Sequence, residues 1–236
     1  MLRDTRRDAA YFADWIACQE TRISRFSQKL EELGDKNSGA RRSCHLSLSG
    51  FLGDLISAQY SSGESIWKLR ETYAQYLAHI GELEELTYHQ ALLTLSLGIL
   101  LDVSPFSVFQ RVSYPEDALL DAFLDYLRRH SPPHGFKGAL MFPETSAVIM
   151  AFLLGECPIE DFRLFIRDGW YQANQTESWY ESDKREDKTY CGYWCFSGAA
   201  VAKMKGRHQE DFQGLKYFPV AMLPVSLSHS KVPINN

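Results

Sequence analysis

The stretch Tyr190-Cys-Gly-Tyr-Trp-Cys-Phe-Ser-Gly-Ala-Ala-Val-Ala-Lys-Met-Lys205 is apolar or small on nearly every side. A helix at a protein surface has one apolar stripe and one polar face, so a helix without a polar face is enclosed by others. A strand is disfavoured because alternation is absent and the Gly-Ala-Ala run has low β propensity. Lys203 and Lys205 suit the carboxyl end of a helix, and Gly206 is a stop. We therefore predict a central buried helix over about residues 190–206.

Outside this stretch the apolar residues also follow helical spacing. They recur at steps of 3, 4 or 7 from Phe12 to Leu33, which indicates a long amphipathic helix that ends at Gly34. The near-continuous apolar run of residues 92–101 is too long for an ordinary strand and indicates a buried helix. The weak strand candidate, residues 218–227, contains two prolines. The sequence predicts an all-α fold, a multi-helix bundle with little or no β structure.

Caps and breakers set the predicted helix boundaries. Thr5 is expected to cap the first helix, with Asp8 at its third helical position. Gly63, Gly81 and Gly155 are expected to end later helices, since glycine adopts the left-handed conformation that commonly follows the last turn.

The predicted domain boundary lies in the proline-containing break between about residues 113 and 134. We expect an N-terminal helical part, residues 1–115, and a C-terminal helical part, residues 116–236, that pack as one unit.

Composition and charge narrow the class of protein. The net charge is −5, whereas a nucleic-acid-binding protein usually carries a basic face. No apolar run is long enough to span a bilayer, and the N-terminal sequence lacks the apolar core of a signal peptide. The five cysteines are odd in number and scattered, which is typical of reduced thiols. We expect a soluble cytoplasmic protein that binds neither nucleic acid nor membrane directly.

Residue pairs with metal-ligand spacing are few. Cys191 and Cys195 are four apart, so on the predicted helix both thiols lie on one face. A zinc site needs two further ligands, and packing explains the pair better because none stands nearby. His130 and His134 have the same spacing, but two prolines between them exclude a regular helix. With no nucleophile elbow or phosphate loop either, we predict no enzyme, no metal and no other cofactor.

The segment of residues 176–189, called here the acidic loop, is the most distinctive polar part of the chain. Its five acids stand against three bases, and Trp179 and Tyr180 lie among them. Aromatic side chains beside charges are typical of a protein interface. The alternative is a solvated connection whose two aromatic residues pin it to the core, and composition alone favours this alternative. The acids are Glu177, Glu181, Asp183, Glu186 and Asp187.

Two stretches together resemble one protein family, the PoNi proteins. The stretch Ile56-Ser-Ala-Gln-Tyr-Ser-Ser-Gly-Glu-Ser-Ile66, with Leu69 and Tyr73 after it, resembles the N-terminal signature. The stretch 190–203, with Tyr217-Phe-Pro219 after it, resembles the C-terminal signature. The family pattern often has an acid where Ser197 stands here. The matching positions, which we interpret as framework, are Tyr60, Gly63, Glu64, Tyr193, Trp194 and Pro219.

The resemblance implies a function that composition does not give. PoNi proteins are immunity proteins for PoNe-type DNase toxins, which are type VI secretion effectors delivered between bacteria. The resemblance implies an all-helical, non-catalytic protein that binds and neutralises a cognate nuclease toxin in the producing cell and its kin. An acidic surface suits the basic groove with which a nuclease binds phosphates. The expected toxin-binding residues are Glu177, Trp179, Glu181, Asp183, Glu186 and Asp187.

Two alternatives remain from the residues alone. One is a helical scaffold or regulatory interaction protein, and the other is a metal-assisted helical enzyme.

Overall fold

The computed structural model of the chain describes residues 1–34, 37–112, 122–129 and 139–226. These residues form helices, turns and irregular segments without any β-strand, which confirms the predicted all-α fold. The α-helices are α1 (Ala9–Leu33), α2 (Ser38–Ser62), α3 (Ile66–Ile80), α4 (Tyr88–Leu101), α5 (Phe106–Phe109), α6 (Ala122–Arg129), α7 (Pro143–Leu154), α8 (Ile159–Leu164), α9 (Trp170–Ala173) and α10 (Phe196–Met204). A π-helical turn, Phe165–Gly169, joins α8 to α9, and 3-10 turns lie at Ser182–Lys184, Gln209–Phe212 and Val220–Met222.

Helix α10 lies at the centre of the packing, between α4 and α7. Its residues Gly198 to Ala202 are all buried. A Cβ on Gly198 would approach the thiol sulfur of Cys195 to 2.8 Å, so the small residues here allow close contact with neighbouring side chains. The prediction of a central buried helix is confirmed for this part of the chain.

The predicted start of that helix, near Tyr190, is wrong. Residues 190–195 form an irregular segment, and α10 begins at Phe196. Gly192 has a φ of +122°, which no right-handed helix contains. The N–H of Cys195 donates to the carbonyl of Tyr217 at 2.7 Å, so a distant part of the chain holds the segment. Cys191 and Cys195 are therefore not on one helical face.

Four glycines end helices at the predicted positions, although Gly81 has a φ of −71° and is therefore not in the left-handed conformation. Gly34, Gly63, Gly81 and Gly155 follow the last residues of α1, α2, α3 and α7. At Gly63 the φ is +92°, and a Cβ would lie only 2.0 Å from the carbonyl oxygen of Met1. This position therefore excludes other residues for two independent reasons.

The predicted cap of the first helix is wrong by three residues. Asp8 caps α1, because its carboxylate accepts the N–H of Tyr11 at 2.8 Å. Thr5 lies before the helix, in a segment where Asp4 is buried and holds Arg6.

The buried apolar side chains of the described residues form one connected cluster that includes Phe12 near one end of the sequence and Leu223 near the other. The division at residues 115/116 stays a prediction. Most of the proline-containing break and the histidines His130 and His134 lie outside the described residues. Within those residues, no helix has both the length and the apolar character that crossing a membrane requires.

Candidate functional site

The acidic loop is held in place through its backbone. The hydroxyl of Tyr193 accepts the N–H of Asp183 at 2.8 Å and donates to its carboxylate at 2.6 Å. The guanidinium of Arg7 donates to the carbonyls of Asp183 and Arg185. The N–H of Glu181 donates to the hydroxyl of Tyr171 at 3.2 Å. The path of the loop is thus set by side chains that lie outside it.

The two aromatic residues of the loop pack inward. Trp179 is half-buried and stacks on Trp170 with ring centroids 5.8 Å apart and planes 19° from parallel. Tyr180 stacks on Tyr171 at 4.5 Å. Both therefore anchor the loop to the core, which was one of the two interpretations of the sequence.

The acids of the loop fall into three environments. The carboxylate of Asp183 is engaged by Tyr193, and Glu181 pairs with Lys184 at 2.5 Å. Glu186 and Asp187 are exposed and form no ion pair with any described residue. These four acids lie close together in the sequence, between residues 181 and 187. The fifth, Glu177, lies apart from them.

Glu177 borders a pocket that the sequence did not predict. Its carboxylate lies 3.8 Å from the Nε2 of His89 on α4. The pocket has a volume of about 360 Å³ and lies between α2, α4, the acidic loop and residues 191–196. We call it the aromatic pocket because its lining includes Tyr76, Trp170, Trp179, Tyr193, Trp194 and Phe196. A neighbouring pocket of about 470 Å³, towards α7, shares His89, Glu177 and Trp194 with it.

Asp54 supplies a second carboxylate to the aromatic pocket. Its side chain is exposed to the solvent of the pocket, although the surrounding protein displaces part of the water around the carboxylate. Burial raises the pKa of Asp54 to about 6, and Arg22 on α1 acts in the opposite direction. The available sequence signal is a pair of glycines within a helix, Gly50 one turn before Asp54 and Gly53 directly before it. The two glycines indicate a helix face without large side chains. They do not indicate which residues lie across the pocket from that face, because those residues follow more than a hundred positions later.

Tyr193 also contacts a second cluster of aromatic and charged side chains, in which the charges pair with each other. Arg6 stacks over the rings of Tyr217 at 4.7 Å and Tyr193 at 5.4 Å, and pairs with Asp4 at 3.2 Å. The hydroxyl of Tyr190 donates to the carboxylate of Asp4. This cluster, called here the arginine site, ties the N-terminal segment to the irregular segment before α10.

The other residues shared with the family pattern contact one another or the chain ends. The indole N–H of Trp194 donates to the hydroxyl of Ser61 at 2.8 Å. The hydroxyl of Tyr60 accepts the N–H of Ala221 at 3.1 Å, next to Pro219. The carbonyl of Glu64 accepts the guanidinium of Arg3 at 2.8 Å. In the structure these residues connect α2 to both ends of the described chain.

The cysteines offer no ligand set among the described residues, in which no three His, Cys, Asp or Glu side chains are grouped as metal ligands. Cys195 is buried, and burial raises the pKa of its thiol to about 12. Burial also raises the pKa of Cys191. Both side chains are therefore neutral thiols at physiological pH, and they contribute packing.

Comparisons with known proteins find one family that matches both halves of the chain. Residues 3–111 match the family model for the N-terminal part of PoNe immunity proteins (PoNi), and residues 115–222 match the model for their C-terminal part. The crystal structure of protein PA2201 from Pseudomonas aeruginosa is similar, with a TM-score of 0.67 and 17% sequence identity. That similarity covers 93% of this chain and 90% of the other, and it concerns the fold alone. No curated protein matches the sequence.

Proposed function

The chain belongs to the family of PoNe immunity proteins (PoNi), and on that premise we propose that it binds and neutralises a cognate nuclease toxin. The single observation that carries this function is the match of both family models, which together extend from residue 3 to residue 222. In the proposal the toxin is a DNase delivered by type VI secretion. The protein acts in the cytoplasm of the producing cell, by binding rather than by catalysis.

The charge of the acidic loop supports this proposal. A nuclease binds phosphates through a basic surface, and an acidic surface on its inhibitor increases the rate of encounter. Glu186 and Asp187 point into solvent without a cationic partner among the described residues. A loop with a fixed backbone presents these charges without a large loss of conformational entropy on binding.

Co-expression tests the function. A candidate PoNe-type nuclease from the same organism is produced in a cell with or without this chain. We expect survival and intact DNA only when the chain is present. Cell death with both proteins present, at matched levels, would contradict the proposed function.

A pair of charge-matched variants tests the role of the acidic loop. Glu186→Gln with Asp187→Asn removes two charges from the loop, while Glu31→Gln with Glu32→Gln removes two from the exposed surface of α1. We expect the loop variant to associate with the inactive nuclease about tenfold more slowly at low salt, because steering is lost. The α1 variant is expected to associate at the wild-type rate. Equal rates for all three proteins exclude the loop as the docking surface.

A further inference from the structure

The aromatic pocket contains a carboxylate that the fold does not use. Asp54 forms no hydrogen bond or ion pair with any described residue. The carboxylate is exposed to the solvent of the pocket and is open to a cationic group that enters, and Arg22 on α1 attracts it without forming an ion pair. No Lys or Arg lines the pocket, and among the described residues His89 is its basic group. The lining therefore combines two carboxylates, Asp54 and Glu177, with aromatic rings.

Gly50 gives a second and independent observation. It lies in the interior of the 25-residue helix α2, where glycine is less favourable than alanine. A Cβ at this position would meet no atom within 4 Å, so close packing does not explain the glycine. Gly50 also lines the aromatic pocket. The missing side chain keeps this wall of the pocket open.

The arginine site shows which chemistry suits such a lining. There the guanidinium of Arg6 stacks over two tyrosine rings and pairs with a buried carboxylate, Asp4. Tyr193 belongs to both places, since its ring contacts Arg6 and also lines the aromatic pocket. A planar guanidinium can stack on an aromatic face while it pairs with a carboxylate, which a lysine ammonium does less well.

On the premise of the proposed function, we propose that the aromatic pocket receives an arginine side chain of the nuclease, which pairs with Asp54 and stacks on the aromatic wall. Arginine is available on such a partner, because nucleases place basic side chains where phosphates bind. The acidic loop and the aromatic pocket then have different roles in binding. Exposed acids attract the basic surface, and the pocket holds one of its arginines.

Two variants test the pocket without damaging the fold. Asp54→Asn removes the charge and keeps the shape, while Gly50→Leu fills the pocket from a helix position with open space. Glu160→Gln removes one exposed charge elsewhere and serves as the control. Binding of the catalytically inactive nuclease is measured by isothermal titration calorimetry. Thermal unfolding of each variant shows that it is folded, and neither pocket variant is expected to melt below the wild type.

We expect Asp54→Asn to bind the nuclease about 10- to 100-fold more weakly, as is typical when a charged hydrogen-bonded contact is lost. Gly50→Leu is expected to bind at least about tenfold more weakly because the arginine is excluded. Glu160→Gln should bind within twofold of the wild type. Wild-type affinity in both pocket variants overturns the pocket proposal and leaves the immunity function intact. If the wild type itself does not bind, the proposed function fails and the pocket proposal fails with it.

A small-molecule probe identifies the occupant. N-acetylarginine amide is titrated into the wild type while the indole N–H resonances of Trp179 and Trp194 are followed by NMR. We expect both resonances to shift with this probe and not with N-acetylcitrulline amide, its uncharged analogue. The shifts should disappear in Asp54→Asn. Equal shifts with citrulline, or larger shifts with N-acetyllysine amide, overturn the assignment to arginine.

Discussion

The arginine site and the aromatic pocket share Tyr193 and a similar lining of aromatic rings and carboxylates. In the arginine site, Asp4 is 1% exposed and is paired with Arg6 from its own segment. In the aromatic pocket, Asp54 reaches solvent and has no partner among the described residues. The first arrangement contributes to folding, because its charges satisfy each other. The second leaves the charge of Asp54 for another molecule. The two sites contain the same residue types, and what separates a structural site from a binding site is whether the carboxylate already has a partner.

The largest effect that we expect comes from the arginine site. Asp4→Ala leaves Arg6 half-buried without its counter-ion and Tyr190 without its hydrogen-bond acceptor. We expect the free energy of unfolding to fall by about 3–5 kcal/mol, as measured by urea denaturation. Asp14→Ala removes an exposed ion pair with Lys188 and should cost less than about 0.5 kcal/mol. Equal losses in the two variants would contradict a structural role of Asp4.

The second-largest effect concerns Gly192, in the irregular segment of residues 190–195 that contributes to both the arginine site and the aromatic pocket. A Cβ on Gly192 would lie 2.2 Å from the hydroxyl oxygen of Ser61 and 2.4 Å from the indole nitrogen of Trp194. We expect Gly192→Ala to lower the unfolding free energy by about 2–4 kcal/mol, from backbone strain and overpacking together. Gly206→Ala is the control, because its φ is +65° and its Cβ would meet no atom within 4 Å. A loss no larger than that of the control would show that the steric contact is harmless.

Arg6→Lys separates the contribution of charge from that of stacking in the arginine site. Lysine keeps the charge beside Asp4 but loses the planar group that stacks on Tyr193 and Tyr217. We expect a loss of about 1–2 kcal/mol in thermal unfolding, smaller than that of Asp4→Ala. A loss as large as that of Asp4→Ala would mean that stacking, rather than charge, dominates the site.

The smallest effect has the opposite sign and depends on pH. Because burial raises the pKa of Asp54 to about 6, the folded state binds this proton more tightly than the unfolded state does. The resulting stability is present below the ordinary pKa of aspartate and is lost as the pH rises through about 6. Asp54→Asn should therefore stabilise the protein at pH 7.5, by only about 0.5 kcal/mol since solvent in the pocket screens the charge.

Unfolding of Asp54→Asn and the wild type at pH 7.5 and pH 5 checks this sign. The advantage of the variant should shrink at pH 5, where the wild-type carboxyl is largely protonated. An advantage that is equal or larger at pH 5 would contradict it.

Sequence patterns predicted those features that depend on neighbours along the chain. The glycines that end α1, α2, α3 and α7 act within one turn, and so they were found. The start of α10 at Phe196 was missed because the segment before it is held by the carbonyl of Tyr217. Thr5 was expected as a cap because the burial of Asp4 against Tyr190 is invisible in the local pattern.

The candidate site was predictable to a similar degree. The charge of the acidic loop is a property of composition, and Glu186 and Asp187 are indeed exposed. Their part in toxin binding stays a prediction. Asp54 was missed because the rings opposite it come from residues 170–196, and only tertiary packing brings them to α2. A polar residue within a helical pattern gives no information on what faces it.

The backbone anchoring of the acidic loop has a consequence for which of its residues can be exchanged. The conformation of the loop depends on hydroxyl groups of Tyr171 and Tyr193 and on the guanidinium of Arg7, all of which lie outside it. The outward side chain of Glu186 forms no part of this support, whereas Asp187 accepts a hydrogen bond from the hydroxyl of Thr189 within the loop at 2.8 Å. A substitution of Glu186 therefore changes the charge of this surface without removing a contact that holds the loop. The backbone of the loop thus stays fixed while the charge of its outward surface can be redesigned.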